Sequence, residues 1–197
     1  MKKAMCRILP VLMIALVIAM VSGIASAQII DETFQTNYFS NNTTSGAPAA
    51  TLRFTEHDGS TLHKECAMIY VYAADQQLAE CCGCPVTYNG LVEENVKTDL
   101  LGNSLTRVTP NQGVVQIVSG EYTGGCDPTS VVVDPEIDSW MTHIQNKVGT
   151  AFPITEEEGD AEFLSSDELT TLENDCAFAI RLGSGFGQCS CNAEATK

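Results

Sequence analysis

Cys81, Cys82 and Cys84 stand together in "AECCGCPVT", residues 79 to 87, and Cys66, Cys126, Cys176, Cys189 and Cys191 are spread through the rest of the chain. Three chemistries use cysteines at such spacings. A structural zinc cage needs four ligands, often two C-x-x-C pairs or cysteines with histidine. Cys81-x-x-Cys84 supplies one pair, and His63, Cys66, Cys81 and Cys84 make the best set. Cys189 and Cys191 form a second pair of irregular spacing. A redox centre needs its C-x-x-C at a helix N-terminus, where the helix dipole lowers the thiol pKa. Here Pro85 and an apolar, strand-like run follow the pair, so that helix is missing. No C-x-x-C-H occurs, which excludes covalent haem attachment of the usual kind. The third chemistry is a set of disulfides.

Which one applies depends on the compartment. The chain opens MKKAMCRILPVLMIALVIAMVSGIASA, with basic Lys2, Lys3 and Arg7, an apolar run from Ile8 to Met20, and Ala25-Ser26-Ala27. These are the three regions of a secretory signal peptide, with cleavage expected before Gln28. A membrane anchor is the alternative, but Ser22 and Gly23 interrupt the run before it reaches the ~20 apolar residues of a span. The expected product is secreted or periplasmic, with no membrane span after cleavage. Cys6 leaves with the signal. The eight remaining cysteines enter a compartment where disulfides form and persist, so four bridges are expected and no metal or cofactor is implied. Neighbouring residues lie ~3.8 Å apart at Cα, too close for easy bridging, so Cys81 and Cys82 should leave in different directions. Cys66 is the natural partner for one member of the cluster, with Cys126, Cys176, Cys189 and Cys191 closing the C-terminal part. Each bridge is worth on the order of 2 to 4 kcal/mol.

Charge narrows the partners. The signal carries three of the ten basic residues and none of the 25 acidic ones, so the mature formal charge is 7 − 25 = −18. Such a surface repels phosphate backbones and anionic headgroups, which makes nucleic acid a poor partner. Calcium could use the oxygen ligands of "EEEGDAE" (156–162) or "CDPTSVVVDPEID" (126–138), but the D-x-[DN]-x-[DN]-G loop signature is absent. "GSGFG" (183–187) follows a helical pattern, so it reads as a C-cap and turn, not a phosphate loop. Ser184 is outside any G-x-S-x-G elbow, because Leu182 occupies the first glycine position. His57, His63 and His143 are the only imidazoles, and His143 reads as a partly exposed residue of a helix. Asn41 and Asn42 each begin an N-x-[ST] triplet. No carboxylate pair stands out for acid–base work.

The stretch "CAMIYVYAADQQLAECCGCPVTYNGL" resembles a run found in secreted bacterial proteins of uncharacterised function: a C-A-x-I-Y-V-x strand, then D-Q-Q, E-C-C-x-C and P-V-T-x-N-G-L. The similarity extends to the C-terminal "CAF…GSGFGQCSC". The resemblance implies export and brings no activity.

The elements that must position the cysteines follow from pattern. Residues 28–49 read as a polar N-terminal arm or edge strand. Four segments have strand chemistry between turn residues: 50–56, 66–74, 90–98 and 113–120. In "TLRFT", Leu52 and Phe54 share one face and Arg53 the other, as a half-buried strand requires. "AMIYVY" is apolar on both faces and reads as a central strand, while "ADQQLAEC" suits a turn or two of helix. Residues 134–149 carry Asp134 as N-cap, Pro135 at the first helical position, and Ile137, Trp140, Ile144 and Val148 at steps of three and four. A second helix begins at the capping box Ser165/Glu168 and runs through Leu169, Leu172, Cys176 and Ala179 to Gly183. The linker 149–163 reads as irregular. The expected architecture is α+β: a 50–133 antiparallel β-sandwich followed by a two-helix, disulfide-pinned segment over 134–197. The expected function is that of an exported structural, adhesive or surface-assembly protein without catalytic activity, able to self-assemble or to meet a cell-surface partner. A calcium-dependent binding module or a carboxylate-based hydrolase is the alternative.

Overall fold

A computed structural model describes residues 33–56 and 64–191. Residues 1–32, where the signal peptide is expected, residues 57–63, which include His57 and His63, and residues 192–197 lie outside the described residues. The strands are β1 (Phe34–Phe39), β2 (Thr51–Glu56), β3 (Lys64–Ala73), β4 (Leu78–Thr87), β5 (Leu91–Asn95), β6 (Gly113–Glu121), β7 (Ile137–Ile144), β8 (Ile154–Glu158) and β9 (Asp160–Ala161), followed by one helix, α1 (Ser166–Arg181). They form a five-stranded sheet, β4-β3-β6-β1-β9, and a four-stranded sheet, β5-β2-β7-β8. Every pairing is antiparallel.

The core follows the period of two. Leu52 and Phe54 of β2, Ala67, Ile69 and Val71 of β3, and Val115 and Ile117 of β6 meet between the sheets with Ile137 and Met141. The other face of β3, Met68 and Tyr70, packs with Phe34, Val118, Leu172 and Ala179 under the helix. The five-stranded sheet is therefore covered on both faces, which is why β3 is apolar on both sides. Ser165 caps α1 by accepting the Glu168 amide, and Gly183 follows at φ +62.

Four expectations are corrected. The helix expected over 134–149 is strand β7, where Ile137, Ser139, Met141 and His143 point inward and Asp138, Trp140 and Thr142 outward. Residues 34–39 are no arm: β1 pairs with β6 on one side and β9 on the other. The sandwich accordingly extends beyond 50–133. "ADQQLAEC" holds a turn and the start of β4, because Gln76 at φ 66 reverses the chain between β3 and β4. The linker 149–163 contains β8 and β9.

The two sheets share a corner. At Gly159 the chain steps from β8, paired with β7 in one sheet, to β9, paired with β1 in the other. A Cβ at this position would lie 2.7 Å from Ser139 Oγ and 2.8 Å from Asn37 Nδ2. Glycine lets the crossing close against a buried polar layer.

Candidate functional site

The cysteine cluster sits on β4. Successive strand residues face opposite ways, so Cys81 points under the helix while Cys82 and Cys84 point toward the sandwich core. Cys81 bridges Cys176 of α1, Cys82 bridges Cys189, Cys84 bridges Cys191, and Cys66 bridges Cys126. Cys66 thus joins a distant loop and not the cluster, because its side chain faces away from Cys82 and Cys84. Gly83 is where that loop crosses: a Cβ there would meet the Cys126 carbonyl oxygen at 2.3 Å. The Cys82, Cys84 and Cys191 sulfurs lie within 4.8 Å of one another, but each is bonded to sulfur and is no thiolate ligand. Cys66, Cys81 and Cys84 of the conceivable zinc set likewise belong to three separate bridges.

The bridges fasten the C-terminal segment along β4. The Cys81 amide donates to Gly187 O and the Cys189 amide to Cys81 O, at 3.0 and 3.1 Å. That segment pairs with the outer edge of β4 at Cys81. Pro85, with no amide to donate, is tolerated because β4 is the last full strand of its sheet.

Beside Cys81, Glu80 is fully buried. Its Oε1 accepts from the Asn103 amide at 2.6 Å and from Ser104 Oγ at 3.3 Å, which ties the 96–112 loop to β4. Its Oε2 is buried without a hydrogen-bond partner among the described residues. Burial pushes this carboxyl up to about 7, while the Asn103 and Ser104 hydrogen bonds pull the other way. Glu80 is enclosed by loop and strand, so its role is to anchor.

The second polar layer lies at the Gly159 corner. Gln35 takes the Ser139 amide at 2.9 Å and the Ser139 hydroxyl on its Oε1, and Asn37 Nδ2 donates to Ser139 Oγ at 3.1 Å. His143, expected partly exposed on a helix, is only 2% exposed and lies on a strand. Its ring meets that of Tyr38 edge-on, with centroids 3.9 Å apart. Burial holds its pKa down, against the charges of Glu157 and Asp160. Sequence patterning missed this layer, since its polar residues come from two segments about 100 residues apart.

The outer face of the four-stranded sheet is the open one. Register places Glu93, Arg53, Trp140 and Glu158 in one row across its four strands. Arg53 donates to Glu93 at 2.8 Å and also to Glu156. Thr51 and Thr142 are joined alongside, and Asp138 stands at one end. Trp140, the chain's single tryptophan, is partly exposed in this face. The triplets at Asn41 and Asn42 offer little to a glycosyltransferase: Asn41 Nδ2 donates to Ile144 O, and Asn42 Nδ2 to Pro110 O.

Models of known families, curated proteins and solved structures all fail to match the chain. Among the described residues no helix is long and apolar enough to cross a membrane.

Proposed function

We propose that the protein is an exported, non-catalytic structural or adhesive component of a cell surface, and that the outer face of the four-stranded sheet engages its partner. One observation carries the reading. Three of the four sheet faces are covered, by the core or by α1 and its neighbouring loop, while the Glu93–Arg53–Trp140–Glu158 row lies open. An indole supplies a large apolar surface with a polar N–H, the kind of group that anchors contacts. Asp138, Glu93, Glu156 and Glu158 against Arg53 favour a neutral or basic surface polymer. Pairing of sheet edges between copies is disfavoured: β8 is exposed and carries Glu156, Glu157 and Glu158, charges that blunt an edge strand.

The test is co-sedimentation of the oxidised mature protein with cell-wall material of the producing cell, quantified for every variant by gel densitometry, with Trp140 fluorescence followed in the proteins that keep the indole. Binding should occur with a change in emission, and Trp140→Ala and Arg53→Ala should weaken it at least tenfold while circular dichroism is unchanged. Undiminished binding by both folded variants, or no binding by the wild type, would reject the proposal.

A further inference from the structure

The helix α1 is tied to β4 by Cys81–Cys176, and over β3 and β6 a cleft of about 430 Å³ opens between the helix and its sheet. Register supplies one wall. Tyr72 stands opposite Val114 and Tyr70 opposite Gln116, so Tyr72, Val114 and Gln116 share the sheet face that α1 covers. The helix supplies the other wall. Glu168, Leu172 and Asp175 follow one another at steps of four and three, which puts them on one stripe of α1. Leu172 belongs to the buried cluster against which Tyr72 packs. The Tyr72 hydroxyl donates to Asp175 Oδ2 at 2.9 Å, which fixes the carboxylate in the cleft wall and engages only one of its two oxygens. No lysine or arginine lines the cleft, and α1 carries no basic residue before Arg181. Among the described residues neither carboxylate is in an ion pair. A mostly apolar cleft of this volume with a few placed polar groups has the form of a small-ligand site.

We propose that this cleft binds a linear aliphatic polyamine, with Glu168 and Asp175 each taking one ammonium group and Tyr72, Val114 and Leu172 receiving the methylene chain between them. Three features select that chemistry. Two negative groups without a basic neighbour favour a cation. Their spacing favours two charges on one chain: seven residues along a helix is about 10 Å at a rise of ~1.5 Å per residue, a span that the terminal nitrogens of a triamine can bridge and a single ammonium cannot. The apolar surface between the carboxylates favours methylenes, which leave water there, while Gln116 offers an amide oxygen to an internal ammonium. The cleft belongs to the five-stranded sheet and Trp140 to the four-stranded one, so binding here is independent of the surface contact proposed above.

Isothermal titration of the oxidised mature protein with spermidine tests this, at physiological ionic strength so that salt screens diffuse attraction to the acidic surface. One equivalent should bind at micromolar concentration and raise Tm. N-acetyl-lysine methylamide, which presents one ammonium on a peptide, and the uncharged 1,8-octanediol should each bind at least tenfold more weakly. Glu168→Gln/Asp175→Asn should weaken spermidine at least tenfold. Glu156→Gln/Glu158→Gln removes the same charge from β8 of the other sheet and should bind as the wild type does. Thr171, exposed at the cleft, gives a second route: Thr171→Trp fills the space without touching a charge and should also weaken binding at least tenfold, which decides the matter if the double variant folds poorly. Absence of spermidine binding would overturn the proposal. So would binding that survives in folded Glu168→Gln/Asp175→Asn or Thr171→Trp, binding lost equally with Glu156 and Glu158, or a lysine probe that binds as tightly as spermidine.

Discussion

Glu80 makes a carboxyl group part of the fold's pH response. Its folded-state pKa is raised from 4.5 to about 7, so the folded chain holds this proton more tightly than the unfolded chain does. The contribution to stability is therefore fully present below the unfolded value near 4.5 and is lost as pH rises through 7. A displacement of this size corresponds to an order of ~3 kcal/mol. His143 works in the opposite sense: its lowered pKa gives stability that is present above its ordinary range and lost on acidification. Urea melts between about pH 4.5 and 8 should separate them. In Glu80→Gln the advantage of low pH should shrink by most of that amount relative to the wild type, and identical pH profiles for the two proteins would refute the assignment. The cysteines beside Glu80 are legible from type and compartment, and the opposite directions of Cys81 and Cys82 follow from strand geometry. Glu80 is not legible: a glutamate among apolar residues shows its burial only once the 96–112 loop closes over it.

At the scale of elements, two capping signals of similar strength had different outcomes. Ser165 with Glu168 does start a helix, because Leu172, Cys176 and Ala179 behind it form a stripe that packs under the five-stranded sheet. Asp134-Pro135 precedes a strand. Ile137, Trp140 and Ile144 fit a helical period, but Ile137, Ser139, Met141 and His143 fit a period of two equally well, and pairing with both β2 and β8 decides between them. Serine and histidine on the inward face hid the alternation, since they are buried through β1 and not through apolarity. The same layer makes Gly159 the position least tolerant of a side chain at the corner. Gly159→Ala should cost about 1–3 kcal/mol as Ser139, Asn37 and Gln35 are pushed apart. Gly125→Ala, where the added carbon meets nothing within 4 Å, is the control and should be near neutral. Equal melting temperatures for the two variants would show that the corner is looser than its geometry indicates.

Over the whole molecule, the bridges are interleaved and close overlapping loops, so their energies cannot simply add. Cys82–Cys189 and Cys84–Cys191 each span 107 residues, and alone either would contribute about 4–5 kcal/mol by restricting the unfolded chain. With one in place, the other closes only the two residues on either side, a loop worth about 2 kcal/mol on the same entropic scale. Cys81–Cys176 spans 95 residues and shares much of the same closure. The sandwich class, the helix at 166–181 and the presence of disulfides were legible because each rests on local composition or spacing. The connectivity was not, because it depends on which face of β4 each cysteine takes and on where the C-terminal segment returns. A strongly non-additive series should result. Replacing Cys84 and Cys191 together with alanine should lower unfolding free energy by about 2 kcal/mol in urea, as should replacing Cys82 with Cys189. Removing both pairs should cost clearly more than the sum of the two, because only then does the segment 187–191 leave the edge of β4. Costs that simply add would mean that each bridge restrains a different part of the unfolded chain, contrary to the interleaved pairing.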